Sequence, residues 1–232
     1  MNRKQNALSI IVNYGCRHNC EYCIWKAHRL FKVISTCESF DFNNLTRILQ
    51  YGDFTNLVSI SGGGDPFNFS GKTMPNYKLL KKIFSIILNA NKEISIHTRE
   101  RKKGNILDNV RQIVLSYENL QELGLIEYLK YLQSREINIR IAKVAIDAKY
   151  DYKRDIIFAK EAGYQITFYA SNKSKSDWFQ ELESNLSEIY QGTKFISEGN
   201  NKIYLMPDNM LYQDYAAKNL YKTGRECKIQ NT

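Results

Sequence analysis

Ala7-Leu8-Ser9-Ile10-Ile11-Val12-Asn13-Tyr14-Gly15-Cys16-Arg17-His18-Asn19-Cys20-Glu21-Tyr22-Cys23 is the stretch from which the rest of the chain is read. Its first part, Ala7–Tyr14, reads as a short β-strand. Three cysteines follow within eight residues, spaced C-x3-C-x2-C. Three thiolates on one short loop can hold three irons of a cubic 4Fe–4S cluster, whereas full ligation takes four. The fourth iron is left open to an outside ligand, so such a cluster can take part in chemistry as well as carry electrons. Zinc and a disulfide are the competing readings. Zinc wants a further Cys or His pair at ribbon-like spacing, but Cys37 and Cys227 stand alone and His18 and His28 complete no standard pattern. A disulfide wants an oxidising compartment. The N-terminal MNRKQNALSIIVNYG carries no apolar stretch with a small-residue cleavage site to direct the chain to one. The spacing favours the cluster over both.

The bulk composition narrows the class. A chain of 232 residues suits one α/β-barrel domain, at most with a short appendage, and 43% hydrophobic content is enough to build its core. The longest apolar stretch, Ile83 to Leu88, is broken by Ser85. It is far short of the ~18 apolar residues of a membrane span, so a soluble, cytoplasmic protein with no membrane partner is expected. Lys and Arg number 33 against 24 Asp and Glu, a net charge of +9. That excess favours anionic partners: a nucleotide, nucleic acid, an acidic protein or a substrate carboxylate. The densest basic run, Arg99-Glu100-Arg101-Lys102-Lys103, reads as a solvated loop rather than a nucleic-acid patch.

Short β-like runs alternate with helical ones, the rhythm of parallel βα units. The strands are read at Ala7–Tyr14, Leu57–Ser61, Glu93–Arg99, Gln112–Glu118, Ile137–Ile146 and Tyr164–Ser171. The clearest helices are Tyr77–Asn91, Asn119–Arg135, Tyr152–Ala162 and Asp177–Tyr190, the third stopped by Gly163 at a C′ position. One face of the strands carries Leu8, Ile10, Val12, Val58, Ile60, Ile94, Ile96, Ile139, Ile141, Ile166 and Phe168; the other carries Ser, Asn, His, Arg and Thr. Helices must cover the apolar face, so the polar face looks inward. A closed eight-stranded barrel fills its interior with branched apolar side chains, whereas a polar interior suits an open barrel whose lumen is the binding site.

The C-x3-C-x2-C loop, with aromatic Tyr22 just before its last cysteine, resembles the signature loop of the radical S-adenosylmethionine (radical SAM) superfamily. In that family the loop follows the first strand, as it does here. Ser61-Gly62-Gly63-Gly64-Asp65-Pro66, after the second strand, resembles the family's glycine-rich GGE(P) segment, with the shorter Asp65 where Glu is usual. Glycines let backbone approach a ligand closely, and a carboxylate can accept from an ammonium. The resemblance implies an α/β fold, a partial (β/α)6 TIM-like barrel over residues 1–192 with a C-terminal β-hairpin and capping extension over 193–232.

It further implies a 4Fe–4S cluster on Cys16, Cys20 and Cys23, with S-adenosylmethionine (SAM) on the open iron. Ser61, Gly62, Gly63, Gly64 and Asp65 are expected on the SAM amino group, and Tyr22 near its adenine. Ser116 and Arg140 resemble, by strand, positions that hold the ribose or carboxylate of SAM, and Ser171 joins the cofactor-binding set. His97, Arg99, Glu118 and Tyr169 face the lumen as catalytic or substrate-contacting candidates. Cys37 and Cys227 read as buried thiols rather than hydrogen donors. Ile203–Tyr212 reads as a hairpin turning at Pro207-Asp208-Asn209 and loosely resembles the start of an auxiliary-cluster extension. Gln213 and Asp214 stand where the next cysteine would be, so no auxiliary cluster is expected.

The expected activity is reductive cleavage of SAM to methionine and a 5′-deoxyadenosyl radical, which abstracts hydrogen from a nucleotide, nucleoside or modified base, free or in nucleic acid. A reducing partner of flavodoxin or ferredoxin type would supply the electron. Two other classes stay open: an activase that installs a glycyl radical on a partner protein, and a non-enzymatic metal-binding nucleic-acid module.

Overall fold

The computed structural model describes residues 6–14, 18, 20–23, 40–67, 77–117, 120, 122, 124–170, 177–196, 202–205 and 211–212. The chain forms two compact units, Met1–Arg111 with Asn201–Thr232, and Gln112–Asn200. Cys16, Cys37, Glu118, Ser171 and Cys227, all named above, lie outside the described residues, as does the turn expected at 207–209.

The first unit runs β1 (Ala7–Tyr14), α1 (Phe42–Tyr51), β2 (Leu57–Gly63), α2 (Tyr77–Asn89) and β3 (Glu93–Thr98), and includes β8 (Lys202–Leu205) and β9 (Leu211–Tyr212). Its strands lie in the order β9-β8-β1-β2-β3. All neighbours are parallel except β9, which is antiparallel to β8. The hairpin read at 203–212 is present. Its first strand also pairs in parallel with β1, Leu8 opposite Ile203, so it extends the sheet. Helix α1, absent from the clearest helices read above, begins where the Asp41 side chain accepts the Asn44 N–H at 2.9 Å, and it buries Leu45 and Leu49 four residues apart. Helix α2 buries Leu80, Ile83, Phe84 and Ile87 and packs on β3.

The polar strand face of this unit differs from the expected open interior. Ser9, Ser59, Ser61 and Ser95 are all buried, and the Ser9 and Ser61 hydroxyls lie 2.5 Å apart. Serines are small enough for the strands to close up here, and the Ser9 and Ser61 hydroxyls satisfy each other. On β3 exposure begins beyond Ser95, at half-buried His97 and Arg99.

The second unit runs β4 (Val110–Ser116, joining it from Gln112 on), α3 (Leu125–Gln133), β5 (Asn138–Ala145), α4 (Tyr152–Ala162), β6 (Gln165–Ala170), α5 (Asp177–Leu186) and β7 (Thr193–Ile196). The strands are parallel in the order β4-β5-β6-β7. β7 was not among the strands read from sequence. Helix α3 starts at Leu125 rather than Asn119, after Gly124 in the left-handed region at φ +76°. Helix α4 ends as read: Gly163 sits at φ +71°, its N–H returning to the Ala159 and Lys160 carbonyls. Tyr152, Phe168, Phe195 and Phe179 form a chain of aromatic contacts with ring centroids 5.2–6.0 Å apart. Against this apolar layer one ion pair is buried, Lys143 of β5 with Asp155 of α4, Nζ to Oδ2 2.6 Å.

Candidate functional site

In the first unit β1, β2 and β3 are parallel neighbours, so their carboxyl ends share one edge, where parallel α/β sheets place their ligands. Three segments leave that edge: the cysteine loop after β1, Gly64–Asp65 after β2, and Arg99–Glu100 after β3. Between Ile11 and Tyr14 β1 spends one more residue than β2, since Ile11 lies opposite Ser61 and Tyr14 opposite Gly63. Such a bulge bends and re-aims a strand end just before a functional loop.

In the cysteine loop the Cys23 N–H donates to the Cys20 carbonyl at 3.2 Å. This turn holds two half-buried free thiols close in sequence and space, and half-buried Tyr22 lies between them. The thiols are not cross-linked to each other, and an arginine nitrogen, Arg99 Nη1, donates to Cys20 Sγ at 3.2 Å. Soft sulfur donors on a tight turn with a cationic hydrogen-bond donor beside one of them fit a thiolate-ligated iron–sulfur cluster.

Asp65, expected on the SAM amino group, is buried and held by protein groups. Its Oδ1 accepts the Phe67 N–H at 2.9 Å, and its Oδ2 accepts the Arg99 N–H at 2.5 Å. The Thr98 hydroxyl lies 2.8 and 2.9 Å from its two oxygens. His18 Nε2 sits 3.9 Å from Asp65 Oδ2 and 2.9 Å from Glu100 Oε1. The carboxylate thus fastens the glycine segment to the end of β3, and β3 in turn holds the cysteine loop.

Burial pushes the Asp65 carboxyl above the ordinary value of 3.8, outweighing the hydrogen bonds from Arg99, Phe67 and Thr98 and the attraction of His18 that pull it down. A raised folded-state pKa means the folded chain binds this proton more tightly than the unfolded chain. The stability it brings is complete below 3.8 and is lost as pH rises through the shifted value. Asp65→Asn, which cannot ionise, is therefore expected to flatten the fall in stability just above that pH; urea denaturation of both proteins at a series of pH values measures the slope.

The remaining expected residues are placed as follows. Ser61 is buried on Ser9, Gly62 and Gly63 end β2, and Gly64 is partly exposed. His97 is half-buried on the same strand face as Ser95. In the second unit, considered by itself, Ser116 ends β4 opposite Ala142, Arg140 lies opposite Val114 and Gln165, and Tyr169 lies opposite Val144 and Ile196. All three are half-buried. Arg140 Nε and Thr167 Oγ1, on that face, are buried without a hydrogen-bond partner. Sequence reading missed Thr98, Glu100 and His18. Thr98 lies inside the strand read at Glu93–Arg99, Glu100 stands within the basic run read as a solvated loop, and His18 enters the sequence reading only as a metal ligand.

No protein-family model and no curated protein matches the chain. Solved structures do. SuiB of Streptococcus suis bound to S-adenosylmethionine superposes with a TM-score of 0.62 at 16% identity, covering 91% of this chain and 58% of that one. SuiB bound to its precursor peptide SuiA gives 0.65 at 16% identity, covering 94% and 61%. The protein anSMEcpe with bound AdoMet gives 0.62 at 14% identity, covering 93% and 73%. The chain therefore spans about three fifths of SuiB. The likeness shows the fold, the α/β partial barrel expected from the sequence.

Proposed function

We propose that this chain is a radical SAM enzyme, with Cys16, Cys20 and Cys23 holding a 4Fe–4S cluster and with Gly62, Gly63 and Gly64, shaped by Asp65, and Tyr22 receiving SAM. One observation carries the reading. The cysteine turn and the glycine segment are fastened to the same strand end, at the carboxyl edge of three parallel strands. The fold is that of SuiB and anSMEcpe, which bind SAM. Held by Cys16, Cys20 and Cys23, the cluster would supply the one-electron reduction that cleaves SAM and opens radical hydrogen abstraction from a substrate.

This chain's residues supply the setting. Cys20 and Cys23 offer their thiolates from a turn already closed by its own backbone bond. Asp65 is occupied by Phe67, Thr98 and Arg99, so its part is to fix the shape of the glycine segment, whose backbone carbonyls take the SAM ammonium. The roles of Ser116, Arg140 and Ser171 toward SAM, and of His97, Glu118 and Tyr169 toward substrate, belong to the same proposal. The net charge of +9 supports a nucleotide, nucleoside or modified base as substrate. A peptide is the second reading, favoured by the likeness to SuiB bound to precursor peptide SuiA.

The test is anaerobic. The chain is reconstituted with iron and sulfide, reduced with dithionite and given SAM, and 5′-deoxyadenosine is followed by liquid chromatography. Release is expected, and Cys16→Ser, Cys20→Ser and Cys23→Ser should each abolish it. Nucleotides and peptides added in turn then report the substrate class by stimulating release. A chain that holds its cluster yet neither cleaves nor binds SAM sinks the proposal; tight, salt-dependent nucleic-acid binding by that same sample would point to the metal-binding module.

A further inference from the structure

Arg99 reaches in two directions at once. Its backbone N–H is bound to Asp65 Oδ2 at 2.5 Å, and its guanidinium Nη1 donates to Cys20 Sγ at 3.2 Å. The residues on either side reinforce this. Thr98 places its hydroxyl on Asp65 and accepts the Glu100 N–H at 2.9 Å, and Glu100 meets His18 at 2.9 Å. Three consecutive residues after the body of β3 thus grip the glycine segment and two points of the cysteine loop.

We propose that Arg99 is a tuning and positioning residue for the cluster, making it easier to reduce through the hydrogen bond to the Cys20 sulfur; this rests on the radical SAM reading. A guanidinium donor on a ligating thiolate draws charge from the sulfur, and its attraction grows when the cluster gains an electron. Hydrogen bonds to ligand sulfurs and nearby charge are among the factors that set cluster potentials. The side chain is half-buried, so water screens this charge less than that of a fully exposed arginine. Because the tie to Asp65 runs through the Arg99 backbone, replacing the side chain removes the sulfur contact and leaves the loop fastening in place.

The experiment is a redox titration of the reconstituted full chain, read by the electron paramagnetic resonance of the reduced cluster, with iron and sulfide counted for every variant. Arg99→Gln is expected to make reduction about tenfold less favourable, the scale of one charge-assisted hydrogen bond; for a one-electron couple that is about 59 mV more negative. Arg99→Lys keeps the charge and should shift by less than half as much on this logarithmic scale. Arg111→Gln, which removes an exposed cation paired with Glu93 at 3.7 Å, should leave the potential unchanged and so excludes a general effect of net charge. A fully loaded Arg99→Gln chain at the wild-type potential overturns the proposal. If Arg99→Gln takes up no cluster, the equally neutral Arg99→Met carries the test, and a wild-type potential there overturns it equally. A wild-type chain that assembles no cluster overturns the radical SAM reading and this inference with it.

Discussion

Asp155→Ala is expected to lower the stability of the chain by about 3–5 kcal/mol, the cost of leaving one partner of a buried ion pair alone. Lys143 and Asp155 side chains are 5% and 4% exposed, and Nζ lies 2.6 Å from Oδ2. The Tyr150 hydroxyl donates to the other carboxylate oxygen at 3.1 Å, and Lys143 Nζ stands 3.5 Å from the centre of the Tyr150 ring. Burial raises the Asp155 carboxyl above its ordinary value even though Lys143 pulls it down, so desolvation is a large charge against this pair. Alanine would leave the buried Lys143 ammonium without its carboxylate, beside the Tyr150 ring. The double variant Lys143→Met/Asp155→Leu removes both charges and should come within about 1 kcal/mol of wild type or exceed it, because the desolvation cost disappears with the attraction. Urea denaturation followed by circular dichroism measures both. A mild Asp155→Ala, or a double variant as damaged as the single one, would show that the pair is not buried as described.

Asp65→Ala is expected to damage stability and the site together. The Phe67 N–H, the Arg99 N–H and the Thr98 hydroxyl all lose their acceptor. A buried donor left without a partner costs about 1–3 kcal/mol, and partial relaxation around the smaller side chain makes roughly 3 kcal/mol the reasonable total. Under the proposed function the glycine segment then loses its anchor on β3, and SAM binding should weaken by roughly tenfold or more, the equivalent of one good hydrogen bond. Asp65→Asn keeps one acceptor oxygen and should fall between the two. Thermal unfolding and equilibrium binding of SAM, each measured where the variant is fully folded, separate the two effects. Unchanged stability in Asp65→Ala would contradict the hydrogen bonds; lowered stability with unchanged SAM affinity would leave the fastening intact as a structural fact and remove it from the site.

Much of this was readable along the chain, and the reason is locality. The cysteine spacing, the glycine segment, the strand Ala7–Tyr14 and the helix Tyr152–Ala162 with its stop at Gly163 depend on residues a few positions apart. Periodicity and capping act over that distance. Helix α3 was read too early because its start is set by the backbone of Gly124, a conformation that composition does not announce. Helix α1 was not among the clearest helices read, although Asp41 caps it and Phe42, Leu45, Ile48 and Leu49 recur at helical spacing.

Contacts between distant residues were decided only by the fold. Arg99 meets Asp65 across 34 positions and Cys20 across 79, and Lys143 finds Asp155 on a helix packed against its strand. In sequence Arg99 is one cation in a basic run and Lys143 an interruption in an apolar strand. Their partners follow from strand order, register and the side of the sheet on which each helix lands, none of which a local pattern contains. The sequence alone therefore determined the cysteine spacing and the glycine segment on which the proposed chemistry rests. Tertiary structure decided what holds those loops, because a hydrogen bond needs two groups within about 3 Å, and only the packed sheet brings together groups so far apart along the chain.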